Sequence, residues 1–472
     1  MSNFHDSPIN IAQIERNFRE IAPPLTEAEA IMESHRCVYC YDAPCTRACP
    51  THIDVPAFIK KIASGNLTGS ARVIFEANPI GATCARVCPV DVLCEGACVE
   101  KTLMAKPIEI GRLQRYATDA AFSRGRDVLK PGAPNGKSVG IVGSGPAGLS
   151  CATYLARLGY SVRVYERKPL AGGMDTYGMA EYKMTQRVSQ EEVAQVARLG
   201  VEIKTNTEIG RDISPGELTK AHDAVFLGVG LGQTSRLRIP GEQLEGVYDA
   251  LDFIERIKTR DWASVPIGRT VAVIGAGNTA IDAVTQARRL GAERVLLIYR
   301  RTEREMPAYE YEYELAKGDA VEFWWQTAPT EILAGADGTR VAALRCVRTE
   351  IVETEGAGRR SFQTIAGSEF EIPVDMVIKA LGQQKMVDWL SQIEGIKLDD
   401  AGRVSVDPDT MQTTNPKFFA GGDCVNGGRE AVDAAQAGKL AAQGIHFHLS
   451  GERVEFAGAR IPLHEETSEI KH

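Results

Sequence analysis

No stretch of the 472-residue chain reaches eighteen consecutive apolar residues, so no segment is built to cross a bilayer as a helix. The opening MSNFHDSPINIAQIERNFRE lacks the basic start and apolar centre of a secretory signal, and a cytoplasmic protein is expected. Positive charge is not in excess. The formal net charge of −8 argues against a nucleic-acid surface. Cysteine is scarce over most of the length. Cys151, Cys346 and Cys424 stand alone and read as ordinary core residues. The other eight of the eleven crowd between Cys37 and Cys98. In a reducing compartment such a cluster binds metal more often than it forms disulfides. Apolar residues make up 44% of the chain, ample for packed cores, and the length suits two or three domains.

The clearest local pattern is Lys137–Arg167. SVGIV reads as a buried strand, Gly143-Ser144-Gly145-Pro146-Ala147-Gly148 as a glycine turn, and Leu149 to Leu158 as a helix ended by Gly159. A second strand, Val162 to Tyr165, runs into Glu166 and Arg167. Each part has a task in a dinucleotide fold. Gly143 permits the tight turn, Gly145 lets the backbone approach a pyrophosphate, and Gly148 lets helix and strand pack closely. The helix start at Pro146-Ala147 offers free N–H groups, from Ala147 onward, to phosphate. Glu166, eighteen residues past Gly148, can accept from a ribose. Paired glycines follow in Ala171-Gly172-Gly173-Met174 and favour FAD at this site.

A second copy of the pattern spans Val271–Arg301, with the turn Gly275-x-Gly277-Asn278-Thr279-Ala280. Its second strand ends in Arg300 and Arg301, with Arg304 close behind, where an NAD site would carry an acid. Cations there can pair with a 2′-phosphate, so charge favours NADPH. Residues 321–372 alternate apolar and polar residues between glycine turns and predict an antiparallel layer. Ala224–Gly230 and Asp375–Gly382 read as buried strands ending on glycine. FFAGGD, with Gly422 and Asp423, leads into a helix beginning near Ala431. Residues 1 to about 35 predict amphipathic helices broken at Pro23-Pro24, DVLKPGAPN predicts a linker, and the tail HEETSEIKH is expected to fray.

The cysteine run is Cys37-x2-Cys40-x4-Cys45-x3-Cys49-Pro50, then Cys84-x3-Cys88-Pro89-x4-Cys94-x3-Cys98. Cys-x2-Cys spacing and Cys-Pro endings are those of ferredoxin-like sites, in which the last cysteine often serves the other cluster. This predicts two iron–sulfur clusters with ligands crossing between the segments. A zinc site fits less well, because the x4, x3 and x5 gaps depart from two-pair spacing. Cys84 reads as a buried thiol outside the ligand set.

CVYCYDAPCTRACP, CARVCPVDVLCEGAC and IEIGRLQRYATD together resemble the N-terminal domain of dihydropyrimidine dehydrogenase, in particular its bacterial flavoprotein subunit. The small subunit of glutamate synthase shares the architecture more distantly, and its role, feeding a large amidotransferase subunit, or that of an NAD(P)H–ferredoxin-type oxidoreductase is the alternative expectation. The resemblance implies one 4Fe–4S cluster on Cys37, Cys40, Cys45 and Cys98, and a second on Cys49, Cys88, Cys94 and Gln114. It implies flavin contacts from Asp423 and a nicotinamide-nucleotide contact from Ala380-Leu381-Gly382. Lys183 stands where the family carries an arginine. Bacterial members are usually described as using NADH, against the charge argument.

The expected fold class is α/β. A helical iron–sulfur domain (1–132) precedes an FAD domain in two parts (137–255 and 373–472), with an NAD(P) domain (256–372) inserted between them. That order predicts two Rossmann-like domains with their cofactors across a cleft. Hydride would pass from NAD(P)H to FAD, and electrons singly onward through the clusters, with no acid–base catalytic residue. No pyrimidine site or FMN barrel is recognisable in the chain. The resemblance therefore implies a hetero-oligomer with a pyrimidine-reducing FMN and iron–sulfur subunit of the PreA type, which reduces uracil and thymine.

Overall fold

The computed structural model describes residues 10–125, 127–259, 262–352 and 361–457. The tail HEETSEIKH lies outside them. The chain folds as two compact units. One comprises Ala22–Thr176, Gln186–Leu231 and the chain from Lys385 onward; the other comprises the chain up to Ile21, Tyr177–Thr185 and Gly232–Gln384.

The first unit begins with short helices. Their starts follow the local chemistry of the chain. Thr26 accepts from Glu29 N–H at 3.3 Å while the Glu29 carboxylate accepts from Thr26 N–H at 2.8 Å, so Glu27–His35 opens on a capping box just after Pro23-Pro24. Asp54 and Asn66 cap Val55–Ala63 and Leu67–Ala77 from one side only, accepting from Ala57 N–H and Gly69 N–H. Phe58, Ile59, Ile62, Ile74, Leu113 and Ala117 form the core of this layer, and the cysteine loops pack at its edge. The linker Asp127–Asn135 has no regular structure. It is nonetheless tied down, Gly132 N–H to Ala156 C=O and Asn135 N–H to Gly159 C=O, each at 3.0 Å.

A parallel sheet follows in the same unit, ordered Phe418–Ala420, Ala224–Leu227, Ser138–Val142, Ser161–Tyr165, Glu202–Lys204. Of the central strands, Ser138–Val142 is buried from Val139 onward and Ala224–Leu227 throughout, as the inner strands of a parallel sheet are. Two helices meet over it, Pro146–Arg157 and Ala431–Ser450. Gly438 brings them together: a Cβ there would overlap Ala147 C=O and press on Cys151 N. The Ser150 hydroxyl donates to Ala435 C=O at 2.6 Å across the same contact.

The second unit holds another five-stranded parallel sheet, ordered Val247–Asp249, Met376–Lys379, Thr270–Ile274, Arg294–Ile298, Glu322–Trp324. Strands from both flanks pair into it, so the sheet extends beyond residues 256–372. The antiparallel layer is present as Thr327–Ala334, Val341–Val352, Ser361–Thr364 and Phe370–Pro373. The helix Ile11–Asn17 joins this unit, whereas its place in the chain suggested the helical domain. The physical reason is its apolar face. Ile14 and Phe18 are buried in the core of the nucleotide sheet, and Phe18 stacks on Trp262 at 4.9 Å.

Because backbone, not a flexible side chain, faces Gly438, Gly438→Ala should cost about 1–3 kcal/mol. Denaturant unfolding should show a lower midpoint at an unchanged slope; an unaltered midpoint would contradict this account of the helix contact.

Candidate functional site: two cysteine groups and two glycine turns

Four of the eight clustered cysteines, Cys37, Cys40, Cys45 and Cys98, line one cavity, walled by Val55, Ile59, Ile108 and Ile110. These are the first three cysteines of the first run and the last of the second. Burial pushes the Cys45 thiol up to about 12, and the neighbouring Cys98 and Cys37 push in the same direction. Among the described residues no three His, Cys, Asp or Glu side chains converge tightly enough to hold a single metal ion. Thiols spread around a cavity suit a cluster better than a tetrahedral zinc.

Cys49, Cys88 and Cys94 form a second neighbourhood. Cys88 is raised well above its usual value by a hydrogen bond with Cys84 and then by burial, with Cys49 and Cys94 close enough to add to it. Burial raises Cys94 in the same way. Such thiols hold their protons until a metal displaces them. Cys84 is buried and accepts from Asn78 Nδ2 at 3.1 Å, as a thiol outside the ligand set would. Gln114 is buried on Ile110–Ser123 and donates Nε2 to Gly81 C=O at 2.7 Å, at the start of the helix that carries Cys84. Among the described residues no hydrogen bond occupies its Oε1, the atom a carboxamide ligand would use.

At the first glycine turn the backbone is close on several sides. Gly143 has φ +95°, and a Cβ on Gly148 would overlap its carbonyl. Gly173, at φ +54°, lies so close to Gly145 Cα that it too has no room for a side chain. Gly422, at φ +75°, faces Ala147. The sequence-distant pieces Gly172-Gly173-Met174 and Gly422-Asp423 are thereby brought to the start of the Pro146–Arg157 helix, a cradle suited to a dinucleotide. Glu166 is buried and engaged. One oxygen accepts from Ser144 N–H at 3.1 Å and Ser144 Oγ at 2.5 Å, and the other from Lys168 N–H at 2.8 Å. Ser144 Oγ in turn accepts from Gly172 N–H at 3.0 Å, linking the acid to the paired glycines. Arg167 is exposed. Asp423 accepts from Arg429 N–H at 3.1 Å, and burial raises its carboxyl. Ala431 begins its helix, as expected.

The second turn is built alike. Gly275 has φ +130°, and a Cβ there would overlap Ala380 C=O, so Ala380-Leu381-Gly382 lies against it. Asn278 accepts from Tyr309 N–H at 3.1 Å, Gly277 caps the Asn278–Arg289 helix, and Thr279 lies in its first turn. The three arginines differ. Arg300 stacks over Phe362 at 4.6 Å, and Arg304 is exposed. Arg301 is 7% exposed, and among the described residues its Nε and Nη1 have no hydrogen-bond partner. Arg112 and Arg157 also leave one nitrogen unpaired, but each holds a carboxylate, Glu109 and Glu76. A buried guanidinium without a counter-charge is costly, and a phosphate is the partner its donor geometry suits. Lys183 belongs to this unit and is not free for a ligand. Burial depresses its ammonium, but Asp282 at 2.6 Å and Glu312 at 2.5 Å outweigh that and hold it up.

The pyridine nucleotide-disulphide oxidoreductase family matches residues 137–438. The chain belongs to that family. Residues 14–126 match the family described as dihydropyrimidine dehydrogenase domain II, 4Fe-4S cluster. This oxidoreductase is 38% identical to the glutamate synthase [NADPH] small chain of Escherichia coli K12 over 93% of its own length and 95% of that protein. It is 33% identical to the NAD-dependent dihydropyrimidine dehydrogenase subunit PreT of Salmonella typhimurium over 91% and 97%. The solved structure of Mycobacterium tuberculosis FprA in complex with NADPH shares the fold, with a TM-score of 0.54 at 20% identity over 67% of this chain and 85% of that one. The protein is an NAD(P)H-dependent FAD and iron–sulfur oxidoreductase. Among the described residues no helix is long and apolar enough to cross a membrane.

Two participants escaped the sequence reading. Ser144 has no role of its own in the glycine-turn pattern, and only the fold shows it joining Glu166 to Gly172. Glu192 caps the Gly81–Val87 helix by accepting from Ala82 N–H at 2.8 Å and Thr83 N–H at 3.0 Å. No local signal marks a partner more than a hundred residues away. If Gln114 is a ligand, Gln114→Ala should remove or reshape one cluster signal in anaerobic EPR and leave the other. Two unchanged signals would remove Gln114 from the ligand set.

Proposed function

We propose that this chain is the electron-input subunit of a larger reductase and that it takes its electrons from NADPH. The observation that carries the choice of nucleotide is Arg301, a buried guanidinium at the end of the second Rossmann strand with two nitrogens unpaired among the described residues. In this reading Arg301, with Arg300 and Arg304 beside it, holds the 2′-phosphate, and Gly275, Gly277, Asn278, Thr279 and Ala380-Leu381-Gly382 hold the rest of the nucleotide. Gly143, Gly145, Pro146, Ala147, Gly148, Glu166, Arg167, Gly172, Gly173, Met174, Gly422, Asp423 and Ala431 cradle FAD. One cluster sits on Cys37, Cys40, Cys45 and Cys98, the other on Cys49, Cys88, Cys94 and Gln114. Bound FAD would accept hydride from the nucleotide and release electrons one at a time, which a cluster can carry. The protein's part is binding, orientation and charge. The start of the Ala431–Ser450 helix favours negative charge nearby.

The acceptor is a partner subunit. Val38, Tyr39 and Tyr41 are exposed beside Cys37 and Cys40, as are Leu103 and Met104 beyond Cys98, which suits an interface at the first cluster. One reading makes the partner a PreA-type subunit that reduces uracil and thymine to their 5,6-dihydro forms; the IGRLQRYATD segment and the Cys88-x5-Cys94 gap favour it. The other makes it the large amidotransferase subunit of a glutamate synthase. The 38% identity to an NADPH-dependent small chain favours that one, as does Arg301.

Arg301→Ala should lower kcat/KM for NADPH about ten- to hundredfold, the worth of a charge-assisted hydrogen bond of about 1.5–3 kcal/mol, and leave NADH nearly untouched. A parent enzyme that already prefers NADH would refute the assignment. Anaerobic assays of the co-purified complex with uracil and with glutamine plus 2-oxoglutarate separate the partners. Uracil reduction by this chain alone would end the two-subunit reading.

A further inference from the structure

The Ala431–Ser450 helix is rich in alanine, and its buried face runs through Val432, Ala435, Lys439 and Ala442. A lysine at a core position of such a helix is out of pattern. Lys439 is 1% exposed. Its Nζ donates to Thr51 C=O at 2.9 Å and Ala457 C=O at 3.1 Å, and lies 5.7 Å from the centre of the Tyr154 ring. Among the described residues no carboxylate pairs with it. Two carbonyls and a ring offset only part of the cost of burying an ammonium. Burial pushes Lys439 down to about 7; Cys49 works against that shift and the Arg157 guanidinium adds to it.

The surroundings say what the missing counter-charge is. Thr51 lies two residues past Cys49, and its hydroxyl is 3.3 Å from Cys49 Sγ. Val432 and Ala435 pack with Ile80 and Cys84, against Cys49 and Cys88. One helix therefore starts at the flavin motif and lays its buried side along the second cysteine group. The first cysteine group differs. Its cavity includes Glu100 and no lysine or arginine.

We propose that Lys439 is the counter-cation of the cluster held by Cys49, Cys88 and Cys94 and raises that cluster's affinity for an electron. This rests on the reading that those cysteines hold a cluster. Cysteine-ligated clusters are anionic, and uptake of one electron, delivered from NAD(P)H through the flavin, adds one negative charge. A fixed ammonium nearby stabilises the reduced form more than the oxidised one. No bond or proton moves at Lys439. It is a positioning charge that acts through the cluster.

The test is an EPR-monitored redox titration of the anaerobically purified, cluster-loaded full chain, its Lys439→Met and Lys439→Arg variants, and Gln114→Ala to assign the second signal. In Lys439→Met the equilibrium constant for electron uptake at the second cluster should fall at least about tenfold, a downward shift of about 59 mV for one electron. The first cluster should hold its value, and Lys439→Arg should stay near the parent. An unmoved second midpoint, or equal shifts in both clusters, would overturn the proposal. Loading of both clusters in Lys439→Arg but only the first in Lys439→Met would support it; loss of the second cluster in both variants would overturn it. A parent chain with a single 4Fe–4S signal would instead remove the cluster assignment, and the proposal with it.

Discussion

The first unit depends on backbone meeting backbone around the first turn of the Pro146–Arg157 helix. Four segments separated by up to almost three hundred residues converge there, and at each contact the residue is glycine: Gly143 with Gly148, Gly173 with Gly145, Gly422 with Ala147, Gly438 with Ala147 and Cys151. Side chains at these points would force the segments apart. The N–H groups of the helix start would then face protein side chains and not a phosphate. The tight closure that packs the helix on its sheet is thus also what leaves a groove shaped for a dinucleotide. The second unit repeats the device at its own glycine turn, Gly275 against Ala380.

Charge burial divides structural groups from ligand-seeking ones. Glu166 is buried with three donors, Glu192 caps a helix, and Lys183 sits between two carboxylates. Each is satisfied within the chain and holds segments together. Arg301 and Lys439 are buried with no counter-ion among the described residues. A protein that leaves charge unpaired at depth carries a destabilising term until an anion arrives. One of these residues stands at the end of a Rossmann strand, and the other beside a cysteine group. A nucleotide phosphate and an iron–sulfur cluster are both anions.

Much of this was legible in the chain. Both glycine turns lie between strand and helix where the spacing predicted, because a turn, a close approach and a helix start are each settled within about thirty residues. The antiparallel layer and the short iron–sulfur helices follow from alternation and from Thr26, Asp54 and Asn66 as caps. The affiliation of the Ile11–Asn17 helix was not legible. Ile14 and Phe18 specify an apolar face but not which core receives it. The breadth of the nucleotide sheet was hidden for a similar reason, since Val247–Asp249 and Met376–Lys379 are short strands whose partners lie far along the chain.

The sequence by itself determined the chemistry on offer: eight clustered cysteines, two dinucleotide turns, an arginine pair where an acid would stand. Residue type and local spacing suffice for that, because thiolates, glycines and guanidinium groups carry their chemistry wherever the chain puts them. Only the tertiary structure decided which of them act together. It gathers Cys98 with Cys37, Cys40 and Cys45 at one cavity, separates Arg301 from Arg300 by burial, joins Ser144 to Glu166, and sets Lys439 on the Thr51 carbonyl, two residues past Cys49. Those outcomes turn on desolvation and distance, which depend on what packs around a residue and not on its neighbours in the chain.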